Sequence, residues 1–420
     1  MAKKVVIVGG GFGGIAVAKQ LSSNTFDVTL IDKTNHHLFQ PLLYQVATAA
    51  LSPGDIATPI RAVFTNQKNI KVVLGEVIDI NSSENFVSLK NGRTIAFDYL
   101  ILAPGARYNY FGNSAWEAHA PGLKTLSNAL KLREKILLSL EKAEQLPTPK
   151  EREPHLTYVV IGGGPTGVEM AGSIAEIAKR NMMRDFRNFD RDETTIYLIE
   201  AGGKVLNGYP DSLSEHALND LKRMGVKVLL NSPVSEINES GVQLQNQFIE
   251  TPNVIWAAGV SASPLLKKLN QETDRAGRIK VKEDLSILEN DNIFVIGDAA
   301  FVEGKNGKPL PGIAPVALQQ GKYVGKLIKK EQKGQPRTPF HYIDKGSMAT
   351  IGRAKAVADI RGLKFSGFFA WILWGFIHVF FLIGFRNRFR VFAEWMWYYI
   401  SFKRGVRLIT RDENLDLDSK

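Results

Sequence analysis

Short apolar runs recur along the chain, and most of them end in glycines or on an acid. Residues 5–9 read VVIVG, and beyond the glycines the apolar positions of IAVAKQL (15–21) fall at helical spacing. This predicts a buried strand, a tight turn and a helix, followed by a second strand, VTLID, that ends on Asp32. The same order returns from residue 157: strand TYVVI, a glycine turn, helical VEMAGSIAEIA and strand TIYLIE, ending on Glu200. YLILAPGAR (99–107) and VIWAAGV (254–260) read as strands closing in small-residue turns, where the chain passes between domains. NIFVIGDAA (292–300) reads as a buried strand that delivers Asp298 at its carboxyl end.

The tail has a different pattern. From Phe365 to Phe385 run 21 residues without Lys, Arg, Asp or Glu, long enough on that count to cross a bilayer. A single crossing would strand the cations at 386, 388, 390, 403, 404, 407 and 411 on the far side, against the positive-inside tendency. A return through VFAEWMWYYISF is too short, at 12 residues, and carries Glu394. Aromatics beside Arg and Lys fit helices lying at the headgroup level. Of the chain's 40 aromatics, 16 lie between Phe365 and Phe402, and residues 361–411 carry nine Lys/Arg against Glu394 alone. Such a segment is too apolar for a nucleic-acid patch and suits an anionic membrane surface.

Composition narrows the chemistry. At 420 residues with 37 glycines and 44% apolar residues, the chain is expected to be an α/β enzyme of two or three domains. Met1-Ala2-Lys3-Lys4 runs straight into the apolar strand, so no secretory leader is expected and the main body is expected in the cytosol. There is no cysteine, which excludes disulfides, thiolate zinc, cysteine-ligated iron–sulfur clusters and dithiol redox pairs. Electrons, if moved, travel on an organic cofactor.

Both glycine turns have the spacing that cradles a pyrophosphate. Gly9-x-Gly11-x-x-Gly14 precedes Asp32 by 18 residues, and Gly162-x-Gly164-x-x-Gly167 precedes Glu200 by 33, with the insert NMMRDFRNFDRDE between. The glycines admit the phosphates, the helix N-terminus offers N–H donors, and the acid accepts from ribose hydroxyls. An acid there disfavours a 2′-phosphate, so Glu200 points to NADH, with Lys204 the one nearby cation. FAD is the candidate for the first loop, because direct exchange between two nicotinamides is a rarer arrangement. Asp298 fits an ordinary strand-end turn or a carboxylate for flavin-side hydroxyls.

Together GGGFGG, PLLYQVATAALSPGDIA (41–57), GGGPTGVE, VIGDAA, APVALQQG (314–321) and GSMATIGRAKAVADI (346–360) resemble type II NADH:quinone oxidoreductases, over essentially the whole chain. The resemblance implies a glutathione-reductase-like flavoprotein: two Rossmann-like dinucleotide-binding domains plus a C-terminal amphipathic membrane-anchoring region. It implies a single-subunit respiratory dehydrogenase that holds FAD non-covalently, oxidises NADH and reduces a membrane quinone, menaquinone or ubiquinone, without pumping protons. The domains follow as 1–125 and 254–345 for FAD, 126–253 for NADH, 346–411 for anchoring, and 412–420 as a disordered end.

By the same resemblance Gly9, Gly11, Phe12, Gly13 and Gly14 hold the FAD pyrophosphate, with Asp32 and Lys33 at the ribose and Val77 at adenine. Asp298, Gly259 and Ala314 are further cofactor contacts. Gly162, Gly164, Pro165, Thr166, Gly167 and Glu200 hold NADH. Glu169, read as lying in the first turn of its helix, suits the helix dipole there; the resemblance adds a role with quinone or NADH. Gln319 is implied beside flavin and quinone. Pro315 stands where relatives carry a glutamine and offers no amide. His378 reads as a packed tail residue. No metal and no nucleic acid are expected. The implied location is the cytoplasmic face of the cell membrane, peripheral and monotopic, with a homodimer left open. The alternatives are a soluble-type NAD(P)H reductase of a protein acceptor and a membrane flavoprotein that senses NADH without turnover.

Overall fold

Val5, Ile7, Val28, Leu30 and Ile101 lose all contact with solvent because the strands that carry them are covered on both faces. The computed structural model describes residues 1–181, 185–304, 307–401 and 406–409. The chain forms two compact units: Met1–Leu38, Ala57–Arg107 and Val260–Asp344 make the first, and Phe39–Ile56, Tyr108–Gly259 and Lys345–Lys420 the second. The short segment Phe39–Ile56 thus belongs with the second unit, a membership absent from a linear division at residue 125.

The first unit is built on a six-stranded sheet in the order Ser286–Ile287, Asn290–Val295, Tyr99–Leu102, Lys3–Val8, Phe26–Asp32, Ile70–Leu74. All neighbours run parallel except the first pair. From Lys3–Val8 the chain steps outward through two strands and then returns to the other side as Tyr99–Leu102. Strand order reverses beside Lys3–Val8, and such a reversal leaves a crevice at the carboxyl ends of the strands. The first glycine loop sits there and leads into the helix Phe12–Gln20.

The second unit repeats the plan. Its parallel sheet runs Val226–Leu229, Thr195–Ile199, Thr157–Ile161, Asn253–Trp256, with the same reversal beside the strand that precedes the second loop. The helix Pro165–Glu176 follows that loop. Later, three antiparallel strands, Ser347–Gly352, Lys355–Ile360 and Leu363–Ser366, lead into the helices Gly367–Phe381 and Phe385–Ser401.

The uncharged run 365–385 is therefore divided. Phe365 and Ser366 complete a strand, the first helix stops at Phe381, and Gly384, in the left-handed region at φ +89°, precedes the second helix. Among the described residues no helix is long and apolar enough to cross a membrane. The expected disordered end at 412–420, and Lys403, Arg404 and Arg411, lie outside the described residues.

Candidate functional site

The two glycine loops are built by the same hydrogen bonds. Gly9 N–H donates to Ile31 O at 2.8 Å, and its counterpart Gly162 N–H donates to Ile199 O at 2.7 Å. The next amide in each loop caps the acid: Gly10 N–H meets Asp32 Oδ2, and Gly163 N–H meets Glu200 Oε2, both at 2.6 Å. The other carboxylate oxygen accepts from the amide two residues on, Thr34 for Asp32 and Gly202 for Glu200, both at 2.7 Å. Each acid is thereby fixed against its own loop before any nucleotide arrives.

Sterics explain the glycines. A Cβ on Gly14 would lie 1.9 Å from Gly9 O, and one on Gly167 would lie 1.7 Å from Gly162 O, so strand and helix could not close with any other residue. At Gly11 and Gly164 the same construction meets nothing within 4 Å. That open side, at the N-terminus of a helix, is where a diphosphate fits. FAD suits the first loop on these grounds: crowded glycines behind, open space in front, and Asp32 held at the end of the second strand.

Other predicted residues fall around the loops. Lys33 is exposed beside Asp32, and Phe12 meets the His37 ring edge-on at 4.9 Å. His37 is buried with Nδ1 3.1 Å from Gly10 O, and burial lowers its pKa to about 4, which keeps it neutral. Val77 opens the strand Val77–Asn81 and is buried. Asp298 lies in the turn Gly297–Ala299 at the end of the strand Asn290–Val295. Ala314 opens the helix Ala314–Glu331, where the neighbouring Pro315 meets no unmet need for an N–H. Gly259, at φ +70°, faces Phe111, whose ring leaves no room for a Cβ.

Gln319 and its neighbour each hold a stretch of main chain. Gln319 clamps the main chain of Ile343, donating from Nε2 to O at 2.9 Å and accepting from N at 3.0 Å. Gln320 is the buried one, and its Oε1 accepts from Gly297 N–H at 2.6 Å, which steadies the turn that holds Asp298.

Glu169 needs one correction. The helix begins at Pro165, because proline favours the first helical positions, so Glu169 falls in the second turn rather than the first. The macrodipole fades within a turn and does not account for it. Instead Glu169 lines a pocket of about 570 Å³, measured out to its open mouth, with Tyr44, Ser173, Glu176, Trp371, Trp395 and Tyr398 among its walls. A little of its surface opens on the pocket, but protein surrounds the carboxyl. Burial pushes its pKa up to about 8, against a smaller lowering by a hydrogen bond from the main chain of Thr350. At neutral pH the group is mostly a protonated acid. The phenol of Tyr209 is pushed up by burial and then by the charge of Glu169.

The pocket's wall is held in place by the last helix. Trp395 Nε1–H donates to Gln45 Oε1 at 2.8 Å, and Gln45 Nε2 donates to Tyr44 Oη at 2.9 Å. Tyr398 Oη–H donates to Glu176 Oε2 at 2.8 Å. His378 is a packing residue: its ring stacks on Trp374 at 4.3 Å, Nδ1 reaches Trp374 O at 2.7 Å, and burial lowers its pKa to about 4.

Sequence reasoning passed over Gln45, Ser173, Glu176, Arg353, Trp395 and Tyr398. One local signal was available: Glu169, Ser173 and Glu176 stand at i, i+4 and i+7 in a helix whose residues 167–176 are otherwise apolar or glycine, which puts three polar groups on one face.

Comparison with known proteins agrees with this geometry. The family model for pyridine nucleotide-disulphide oxidoreductases matches residues 3–321, and that for the NDH2 C-terminal domain matches residues 345–403. A type II NADH:quinone oxidoreductase (Ndh) of Mycobacterium tuberculosis is 43% identical over 97% of this chain and 90% of its own length. A type II NADH:quinone oxidoreductase of Staphylococcus haemolyticus is 31% identical over 87% of this chain and 91% of its own. The solved structure of NDH2 from Plasmodium falciparum in complex with NADH superposes with a TM-score of 0.89 at 23% identity, over 97% of this chain and 100% of that one. The chain belongs to the pyridine nucleotide-disulphide oxidoreductases and, within them, to the type II NADH:quinone oxidoreductases.

Proposed function

We infer that this protein oxidises NADH and reduces a membrane quinone by way of FAD, without pumping protons. The observation that carries the reading is the duplicated loop, each copy with open space before its middle glycine and an acid fixed behind it. When bound, FAD supplies the two-electron chemistry that links a hydride donor to a quinone. The residues of the chain bind, orient and select.

Gly9, Gly11, Phe12, Gly13 and Gly14 would hold the flavin's diphosphate, with Asp32 and Lys33 at the ribose, Val77 at adenine and Asp298 on the flavin side. Gly162, Gly164, Pro165, Thr166 and Gly167 would seat the NADH diphosphate, and Glu200 its ribose. Lys204 does not offset Glu200, because its Nζ is bound to Asp211 Oδ1 at 2.6 Å. A 2′-phosphate would therefore meet an uncompensated carboxylate, which selects NADH.

The pocket beside Glu169 takes the quinone head, with flat aromatic walls for the ring and a protonated carboxyl for an oxygen. The surface beyond it fits a lipid source. Phe369 (77% exposed), Phe376 (72%), Phe385 (84%) and Phe389 (64%) stand out from the two last helices, beside the exposed cations Arg386 and Arg390. Unburied aromatics at this density mark a binding surface. The proposed attachment is peripheral, on the cytoplasmic face, with anionic headgroups against the arginines.

A flavin spectrum of the purified protein tests the scheme. NADH added without oxygen should bleach it, and a short-chain quinone should restore the colour. A colourless protein that takes up no flavin would overturn the reading.

A further inference from the structure

One wall of the pocket is a row of polar side chains, and the rest of its lining is aromatic rings together with Gln45, Ala50 and residues 350–353. Glu169, Ser173 and Glu176 form the polar wall, in a row along one face of the helix Pro165–Glu176. At one end stands Glu169, whose pKa burial pushes up to about 8. In the middle, the Ser173 hydroxyl lies 2.7 Å from the Thr48 hydroxyl. At the far end Glu176 keeps part of its surface open and accepts from the Arg353 amide and from Tyr398 Oη. Among the described residues, titratable or charged groups face this row from other elements: Tyr44 from the helix Leu43–Ala47, Tyr209 from the loop after Glu200, Arg353 from the turn after Ser347–Gly352, and Tyr398 from the last helix.

The reaction needs a proton that NADH does not supply. NADH gives up a hydride, which is two electrons and one proton, whereas the quinone gains two electrons and two protons to become quinol. The balance is NADH + H⁺ + quinone → NAD⁺ + quinol, so one proton in each turnover comes from solvent. Trp371, Trp374 and Trp395 carry no titratable group, and among the described residues the carboxylic acids that line the pocket are Glu169 and Glu176.

Building on the assignment of this pocket to the quinone, we propose that Glu176 takes up the solvent proton and passes it, through the Ser173 hydroxyl and water in the pocket, to Glu169, which gives it to a quinone oxygen. No heavy-atom bond is made or broken in this step, and the proton taken from solvent replaces the one Glu169 gives away. Glu176 acts through Glu169 and does not itself touch the substrate.

The test uses the full-length flavoprotein carrying Glu176→Gln, with a short-chain ubiquinone analogue as acceptor. NADH should bleach the flavin at the wild-type rate. Quinol formation should slow by about 10²–10⁴-fold, the range expected when a proton-transfer group is lost. The slowed step should show a larger solvent isotope effect and recover with added formate or with Glu176→Asp.

The proposal falls if Glu176→Gln keeps wild-type quinol formation, or if it slows without an isotope effect or rescue. An azidoquinone photolabel separates the two levels. Labelling outside this pocket overturns its assignment and the relay together. Labelling within it, without the kinetic change, overturns the relay alone.

Discussion

At the scale of single residues, charge placement decides what the site does. The carboxyl of Glu169 has a folded pKa near 8, raised above its unfolded value, so between about pH 4.5 and 8 the unfolded chain releases a proton that the folded protein keeps. Stability is therefore unaffected by this group in acid and declines as pH rises through that window. At about 1.4 kcal/mol per pH unit the full cost is on the order of a few kcal/mol. Glu169→Gln should flatten the fall in Tm between pH 5 and 8, as thermal melts in a pH series would show; an unchanged slope would contradict a buried, protonated carboxyl. Glu200 makes the complementary case. Glu200→Gln keeps an oxygen for one loop amide and removes the charge, so NADPH should gain about tenfold in kcat/KM relative to NADH, near 1.4 kcal/mol of discrimination. Asp32, Glu200 and both sets of glycines were legible from spacing alone. The state of Glu169 was not, because it is set by the strand Ser347–Gly352 and by aromatic helices some 200 residues further along the chain.

At the scale of elements, close packing explains residues whose chemistry is silent. Gly172 lies on the helix Pro165–Glu176 where a Cβ would stand 1.7 Å from Ile351 O, so that helix and the strand Ser347–Gly352 meet backbone to backbone. Gly172→Ala forces them apart, with an expected loss of about 1–3 kcal/mol for overpacking. Differential scanning calorimetry measures that loss. Quinone KM should rise in the same variant, because Glu169 and Thr350 line the pocket from these two elements. A stable variant with unchanged KM would mean that this contact does not shape the site. The strands and helices of both loops were predictable, since each is fixed by apolar runs and turns within some thirty residues. The break of the run 365–385 into a strand end and two helices was less so. Apolarity tells helix from solvent-facing loop poorly there, and the pairing of Leu363–Ser366 with Lys355–Ile360 claims Phe365 and Ser366 for a sheet.

At the scale of the whole molecule, the exposed aromatics of the last two helices are the clearest departure from an ordinary soluble surface. Replacing both Phe385 and Phe389 by Ser should reduce co-sedimentation with vesicles containing anionic lipid. Fully burying one phenylalanine contributes roughly 1.5–3 kcal/mol, so the double variant should bind at least about tenfold more weakly. Reduction of a water-soluble quinone should persist. Unchanged sedimentation would assign that surface elsewhere, and a concentration-dependent dimer without lipid would assign it to a second copy.

The amino-acid sequence by itself determined two nucleotide folds and the absence of thiol chemistry, and it carries the acid, Glu200, on which the proposed preference for NADH rests. Each follows from which residue types occur and from contacts within a short stretch of chain, where steric and hydrogen-bonding rules act locally. Tertiary structure alone decided that Glu169 is protonated, that Gln319 grips the main chain of Ile343 while Gln320 steadies the Asp298 turn, and that residues 44–50, 169–176, 350–353 and 371–398 wall one pocket. Desolvation and cavity shape depend on segments far apart in the chain, and no local pattern encodes their meeting.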